Sequence, residues 1–115
     1  MNKYFVVFRI PTASVDEWMK NVSPEERKKQ SDGVMQAWPK WFEEHAGAIV
    51  DKGSPLGKTK TVTKDGIKDS RNDLNYFMII QANSHDEAAK ILADNPHTQI
   101  PSSLIDVMEM PHAGM

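Results

Sequence analysis

Two short stretches decide the fold of this chain: KYFVVFR at residues 3–9 and NYFMIIQ at residues 75–81. Each is an apolar run of strand length with polar residues at both ends, which is typical of a strand buried on both faces. The two runs begin about 70 residues apart in a chain of 115 residues. They predict the two central strands of one sheet.

A helix signal follows each run. Ser14-Val15-Asp16-Glu17 and Ser84-His85-Asp86-Glu87 both fit the capping box Ser-x-x-Glu. In that box the serine hydroxyl accepts a hydrogen bond from the first helical turn, and the glutamate reaches back to the cap. The sequence therefore predicts a strand–helix unit that occurs twice.

The first helical region is long and has its own start signal. Ser23-Pro24-Glu25-Glu26 is a third capping box, with proline at the first helical position. It predicts a helix over residues 24–46, with Gly47 as a left-handed C-cap. Apolar and aromatic side chains recur on it at helical spacing and predict one buried stripe. The stripe consists of Val34, Trp38, Trp41, Phe42 and His45.

The remaining predicted elements are three strands before the second apolar run, and a helix and a strand after it. A strand is predicted over residues 48–51 and another in the Thr-rich residues 58–63, before a tight Asp65-Gly66 turn. Residues 67–73 are predicted to be mostly loop, with a short returning strand at Ile67-Lys68. A helix over residues 86–93 and a strand over residues 104–110 follow.

This order is β-α-β-β-(β)-α-β, a ferredoxin-like split unit. We predict a single α+β domain over residues 1–115, with an antiparallel sheet and helices on one face. The tail, residues 111–115, is expected to be mobile and includes His112.

Composition limits the functional classes. The net charge of −2 and the pI of about 6.1 lack the basic excess of nucleic-acid-binding proteins, so no nucleic-acid partner is predicted. The chain has no cysteine, which excludes disulfides and thiolate nucleophiles and fits a cytoplasmic location. The apolar run over residues 4–10 is too short to span a bilayer, so no membrane partner is expected.

Several short motifs resemble the YCII-related (YciI-like) family. They are GAIVDKGSPL at residues 47–56, the Asp65-Gly66 turn, SHDEAA at residues 84–89, Asn95-Pro96 and Ile105-Asp106-Val107. The resemblance covers about residues 3 to 110. It implies a dimeric α+β barrel, a homodimer in which two sheets pack face to face. It implies no particular reaction.

Some members of that family are thought to carry a His–Asp pair as an acid–base site. The histidine lies in the first long helix, and the aspartate precedes a proline after the second helix. The matching positions in this chain are Gln36 and Asn95, with Asp94 adjacent. Since glutamine and asparagine do not exchange protons near pH 7, the resemblance leaves catalysis by this pair in doubt.

Among the histidines, His97 is the candidate for a catalytic role. It follows Asn95-Pro96 in a predicted loop, and acid–base chemistry needs a partner such as Asp94 or Asp51. The alternative is a loop histidine bonded to the backbone or to solvent.

Four other residues are candidates for ligand binding. Arg9 could bind a carboxylate, or it could pair with Asp106 or Glu109 of the last strand. Trp38 and Trp41 could line an aromatic pocket together with His45, or they could serve core or dimer packing. No histidine pair has the spacing of metal ligands, so no metal site is predicted, and no cofactor is expected.

Three functions remain open at this point. The first is a dimeric protein that binds a small molecule in a cleft between sheet and helices. The second is a lyase, isomerase or hydrolase of small acids that uses Arg9, His97 and an aspartate. The third, an RNA-recognition module, shares the element order, but residues 76–80 lack the basic and alternating aromatic side chains that stack bases.

Overall fold

The chain folds in the order β-α-α-β-β-β-β-α-β, so the first helical region forms two helices and four strands follow it before the last helix. A computed structural model describes residues 1–111, so residues 112–115 of the predicted mobile tail, including His112, lie outside the described residues. The strands are β1 (Asn2–Arg9), β2 (Ile49–Pro55), β3 (Thr59–Thr63), β4 (Gly66–Ser70), β5 (Leu74–Ala82) and β6 (Leu104–Glu109). The helices are α1 (Thr12–Asn21), α2 (Pro24–Glu44) and α3 (His85–Leu92), with 3₁₀ turns at Ala46–Ala48 and Pro96–Gln99.

The main sheet has four antiparallel strands in the order β2-β5-β1-β6. β1 and β5 are central, as their continuous apolar runs predict. This is the strand order of the ferredoxin-like α+β fold, which is therefore confirmed. β3 and β4 form a separate two-stranded sheet.

The core lies on one face of the main sheet. Alternate residues of β1 and β5 point toward the helices and are buried there, as the two-residue repeat of a strand requires. The buried cluster consists of Tyr4, Val6, Phe8, Met78, Ile80 and Ala82 with Trp41, Ala88 and Leu92 from the helices. The molecule is 19 Å thick, which fits one sheet layer and one helix layer. No helix within residues 1–111 has the length and apolar character needed to cross a bilayer.

Two of the three predicted caps are confirmed. The hydroxyl oxygen of Ser84 accepts a hydrogen bond from the Glu87 N–H at 3.1 Å, and that of Ser23 accepts one from Glu26 at 3.2 Å. The Ser14 cap is wrong, because α1 begins earlier, with Pro11 at its N-cap. The φ of proline is fixed near the helical value, so Pro11 sets the helix start and leaves Ser14 within the first turn.

The predicted left-handed cap at Gly47 is also wrong. α2 ends at Glu44, with His45 at the C-cap, and residues 46–48 continue as a 3₁₀ turn. The Ala48 N–H donates to the His45 carbonyl at 2.9 Å, so the tighter turn satisfies a carbonyl at the helix end.

The Asp65-Gly66 turn is confirmed, but the strand after it is longer than predicted. β4 pairs with all five residues of β3. Polar side chains bond across the two strands, Lys60 to Asp69 at 2.6 Å and Thr61 to Ser70 at 2.6 Å. Such cross-strand pairs stabilise a polar strand that the sequence alone presents as a loop.

Gly53 in β2 is the glycine that the fold requires. It has a φ of +72°, and a Cβ atom at this position would lie 1.6 Å from the carbonyl oxygen of Phe77.

We expect Gly53→Ala to lower the free energy of unfolding by about 2 kcal/mol or more. Gly57→Ala is the control, since no heavy atom lies within 4 Å of its added methyl group. Urea unfolding measures both, and equal losses would contradict this account.

Candidate functional site

An open groove runs between α2 and β2, where a helix meets the edge of the sheet. Its volume is about 730 Å³, within the usual range for a small-molecule site. The lining is mainly apolar and includes Met35, Trp38, Phe42, Ala46, Ile49 and Lys52. The groove lies where the helix layer meets the edge of the sheet, and its use as a binding cleft stays a prediction.

Trp38 forms the wall between the groove and the core. Its ring contacts four others at centroid distances between 5.4 and 5.8 Å. These rings belong to Phe8, Trp41, Phe42 and Tyr76. Because the contacts come from α2, β1 and β5, the indole has little freedom to rotate, and the groove has a rigid aromatic side.

Polar groups also border the groove. The Lys52 ammonium lies 5.6 Å from the centre of the Phe42 ring, and the Tyr76 hydroxyl donates to the Lys52 carbonyl at 2.6 Å. Burial, together with the charge of Asp51, raises the pKa of Tyr76, so this hydroxyl stays protonated. The groove therefore combines aromatic surface with one cation, Lys52, and one carboxylate, Glu43.

Pro39 adds an acceptor to the same helix. It lies within α2 and has no N–H, so the intrahelical hydrogen bond to the Met35 carbonyl is not made. Met35 and Pro39 both line the groove.

A His–Asp pair forms on the adjoining side of α2. The His45 Nε2 atom lies 3.3 Å from Oδ1 and 3.4 Å from Oδ2 of Asp94, and the Trp41 indole N–H donates to Asp94 Oδ1 at 3.0 Å. Partial burial acts to raise the pKa of Asp94, but the hydrogen bonds from Trp41 and His45 outweigh it and lower that pKa. Asp94 is thus a carboxylate that holds the imidazole in place.

Glu44 lies beside this pair. One possible ligand atom from each of Glu44, His45 and Asp94 lies within 4.8 Å of the others. Glu44 and Asp94 are exposed, and exposed carboxylates often lie this close without an ion. The cluster offers oxygen and imidazole ligands, but its geometry does not select a metal.

His97 has structural partners. The side chain is buried, its Nε2 lies 3.0 Å from the Arg9 carbonyl oxygen, and its ring packs edge-on against Phe8 at 5.3 Å. Burial lowers the pKa of His97, while hydrogen bonds to the backbone of Arg9 and Leu104 act in the opposite direction. The neutral ring therefore ties the loop after α3 to the end of β1.

Arg9 is held by two carboxylates. Its Nε and Nη2 donate to Asp73 at 3.1 and 2.9 Å, and its Nη1 donates to Asp106 at 2.9 Å. The bond from Arg9 lowers the pKa of Asp73. Of the two alternatives for Arg9, the structure shows the pairing with β6 through Asp106, and Asp73 is a partner that was not predicted.

The residues of the predicted catalytic set do not come together. Asp51 accepts a hydrogen bond from the Gly53 N–H at 2.8 Å, whereas His97 bonds to the Arg9 carbonyl and the Arg9 guanidinium bonds to Asp73 and Asp106. Asn95 is fully buried, and its side chain caps the turn at the His97 N–H at 2.8 Å. Gln36 is exposed on α2. The structure instead joins Asp94, a predicted partner of His97, to Trp41 and His45, which were predicted to lie together in an aromatic pocket.

Comparisons with known proteins include a distant likeness to a solved structure. No family model matches the chain. No curated protein sequence matches it either. Among solved structures, the chain is similar to the 5-chloro-2-hydroxyhydroquinone dehydrochlorinase TftG from Burkholderia phenoliruptrix AC1100, solved in complex with 2,5-dihydroxybenzoquinone. The TM-score is 0.48 and the identity is 19%, over 90% of each chain. A likeness at this level transfers neither activity nor site residues.

The buried His97 predicts a pH dependence of stability. Because its pKa is lowered in the folded state, the unfolded chain binds more protons below its ordinary pKa of about 6.5. The contribution of the neutral, buried His97 ring to the free energy of unfolding is therefore complete above pH 6.5. It is lost as the pH falls toward the pKa of His97 in the folded state. We expect His97→Gln to reduce the slope of unfolding free energy against pH between pH 7 and 5.5, by at most about 1.4 kcal/mol per pH unit. Identical slopes in urea unfolding series would contradict this.

Proposed function

We propose that this protein is a homodimeric, YCII-related binding protein that takes a small aromatic acid into the groove between α2 and β2. The observation that carries the proposal is the rigid aromatic wall of Trp38 and Phe42 with the Lys52 ammonium beside it. A flat ring stacks on such a wall, and a carboxylate pairs with the cation.

The dimer is supported by the second face of the sheet. The residues of β1 and β5 that alternate with the core point away from the helices, and the Phe5 and Phe77 rings stack there at 5.7 Å. The facing residues of β6 include Leu104, 42% exposed, and Met108, 44% exposed. An antiparallel sheet with one face in water normally carries polar residues on that face. An apolar face is expected to be covered, and face-to-face packing with a second copy covers it.

The proposal includes membership of the YCII-related family and a location in the cytoplasm. The order of the short motifs over residues 3 to 110 supports membership of the YCII-related family. The cysteine-free composition supports a reducing compartment, and we assign the protein to the cytoplasm on that basis.

A second candidate function is acid–base catalysis on a small molecule, of the lyase, isomerase or hydrolase type. The observation that favours it is the pairing of His45 with Asp94, since an imidazole oriented by a carboxylate can accept and return a proton. The earlier candidates Arg9 and His97 would then have structural roles.

Ligand binding is tested by a thermal-shift screen with benzoate, 4-hydroxybenzoate and indole-3-acetate. A ligand at 100 times its dissociation constant stabilises the fold by about 2.7 kcal/mol, which is several degrees in a domain of this size. Ala46→Phe, which fills the groove, should abolish the shift, while Ala37→Phe on an exposed part of α2 outside the groove lining should retain it. No shift with any probe, or an equal shift in the Ala46→Phe variant, would contradict groove binding.

Catalysis is tested separately with any ligand that this screen yields. If His45 and Asp94 act together, Asp94→Asn should reduce turnover by about 100-fold or more while the thermal shift at the groove is retained. Glu44→Gln is the matched control, since it removes a neighbouring exposed carboxylate. Full turnover in the Asp94→Asn variant would exclude the second function.

A further inference from the structure

The hairpin of β3 and β4 projects from the body of the domain. We call residues 57–71 the arm and the rest of the chain the body. The Leu56 N–H donates to the Asn75 carbonyl at 2.9 Å, so the arm continues the β2–β5 ladder past the end of the sheet. The radius of gyration is 16.1 Å, whereas a compact domain of this length has about 13 Å. The arm therefore extends away from the core.

The tip of the arm exposes an apolar pair. Val62 and Ile67 are directly opposite each other in the hairpin and are 72% and 69% exposed. They lie on the same side of the hairpin as the Lys60–Asp69 ion pair. Because a two-stranded hairpin is only marginally stable in water, a well-formed arm with an apolar tip indicates a covering surface.

The net charge of the arm is opposite in sign to that of the body. The arm contains five basic and two acidic residues, a net charge of +3, whereas the whole chain has a net charge of −2. The body therefore carries −5. Arg71 is paired with Asp16 of its own body and Lys60 with Asp69 of the arm, so the attraction to the acidic body of a second copy comes from the other cations of the arm, Lys58, Lys64 and Lys68.

The sheet face alone is small for a stable interface. Four strands of the observed lengths cover about 19 by 25 Å, roughly 500 Å² in projection. A standard interface buries about 800 Å² on each partner. The arm is a projecting element that can add to the contact area of the sheet face.

We propose that the arm reaches across to the second copy in the dimer and packs Val62 and Ile67 against its body. The inference rests on the dimer proposed above and adds a contact that sheet packing by itself does not require. An apolar tip fits a protein surface better than it fits nucleic acid, and Lys60 on the same side is already paired with Asp69 at 2.6 Å.

The cysteine-free chain allows a direct test, because a single introduced thiol is the sole reactive thiol. Val62→Cys places it at the tip, and Lys68→Cys, on the opposite side of the hairpin, is the matched control. Reaction rates with a maleimide dye are measured at concentrations where light scattering shows a dimer, and again after dilution to the monomer. In the dimer we expect the V62C variant to react at least tenfold more slowly than the K68C variant, and after dilution at the same rate.

The possible outcomes distinguish the proposed arm contact from the proposed sheet-face dimer. Slow labelling of V62C in the dimer supports the contact, and so does a V62C variant that stays monomeric where K68C dimerises. Equal rates in a dimer overturn the arm contact and leave the sheet-face dimer standing. A chain that is monomeric at every concentration overturns both. Protection of V62C that appears only on adding single-stranded RNA also overturns the proposal and assigns the arm to nucleic acid.

Discussion

The pairing of β1 with β5 is the contact on which the rest of the structure depends. In this register Val6 lies opposite Met78 on the helix side, and Val7 lies opposite Phe77 on the other side. Both faces of the central strands are thus apolar. The helices cover one face and form the core there, with Phe8 and Met78 fully buried. The second face is apolar at its centre and charged at one end, where Arg9 pairs with Asp106, and the proposed dimer rests on that apolar centre.

The same alternation separates residues that are close in sequence. Phe8 points to the helix side, where His97 packs on it, and the next residue, Arg9, turns its guanidinium to Asp73 and Asp106. The helical repeat has a related effect on α2. Trp38 and Phe42 border the groove, while Trp41 and His45, three residues after each of them, meet Asp94. Binding and proton transfer, if both occur, would therefore use two adjoining sides of one helix.

Local signals in the sequence predict the central strands, the Ser84 cap and the Asp65-Gly66 turn, because each depends on a few neighbouring residues. The predicted Ser14 cap is wrong because α1 begins earlier, after Pro11. The length of β4 is underestimated because its polar side chains find their hydrogen-bond partners only across the hairpin. The His45–Asp94 pair joins residues 49 positions apart. It depends on how α2 packs beside the loop after α3, which local patterns do not encode. The family resemblance indicates Gln36 and Asn95 instead, and the structure shows Asn95 as a buried cap.

Sedimentation equilibrium of the unmodified chain tests the central claim, that the second face of the sheet is a buried surface, most directly. We expect a species of twice the 13.0 kDa chain mass at micromolar concentration, which dissociates on dilution. A single species of 13.0 kDa up to several hundred micromolar would contradict it. In that case the apolar face of β1 and β5 would be open to water in the native protein.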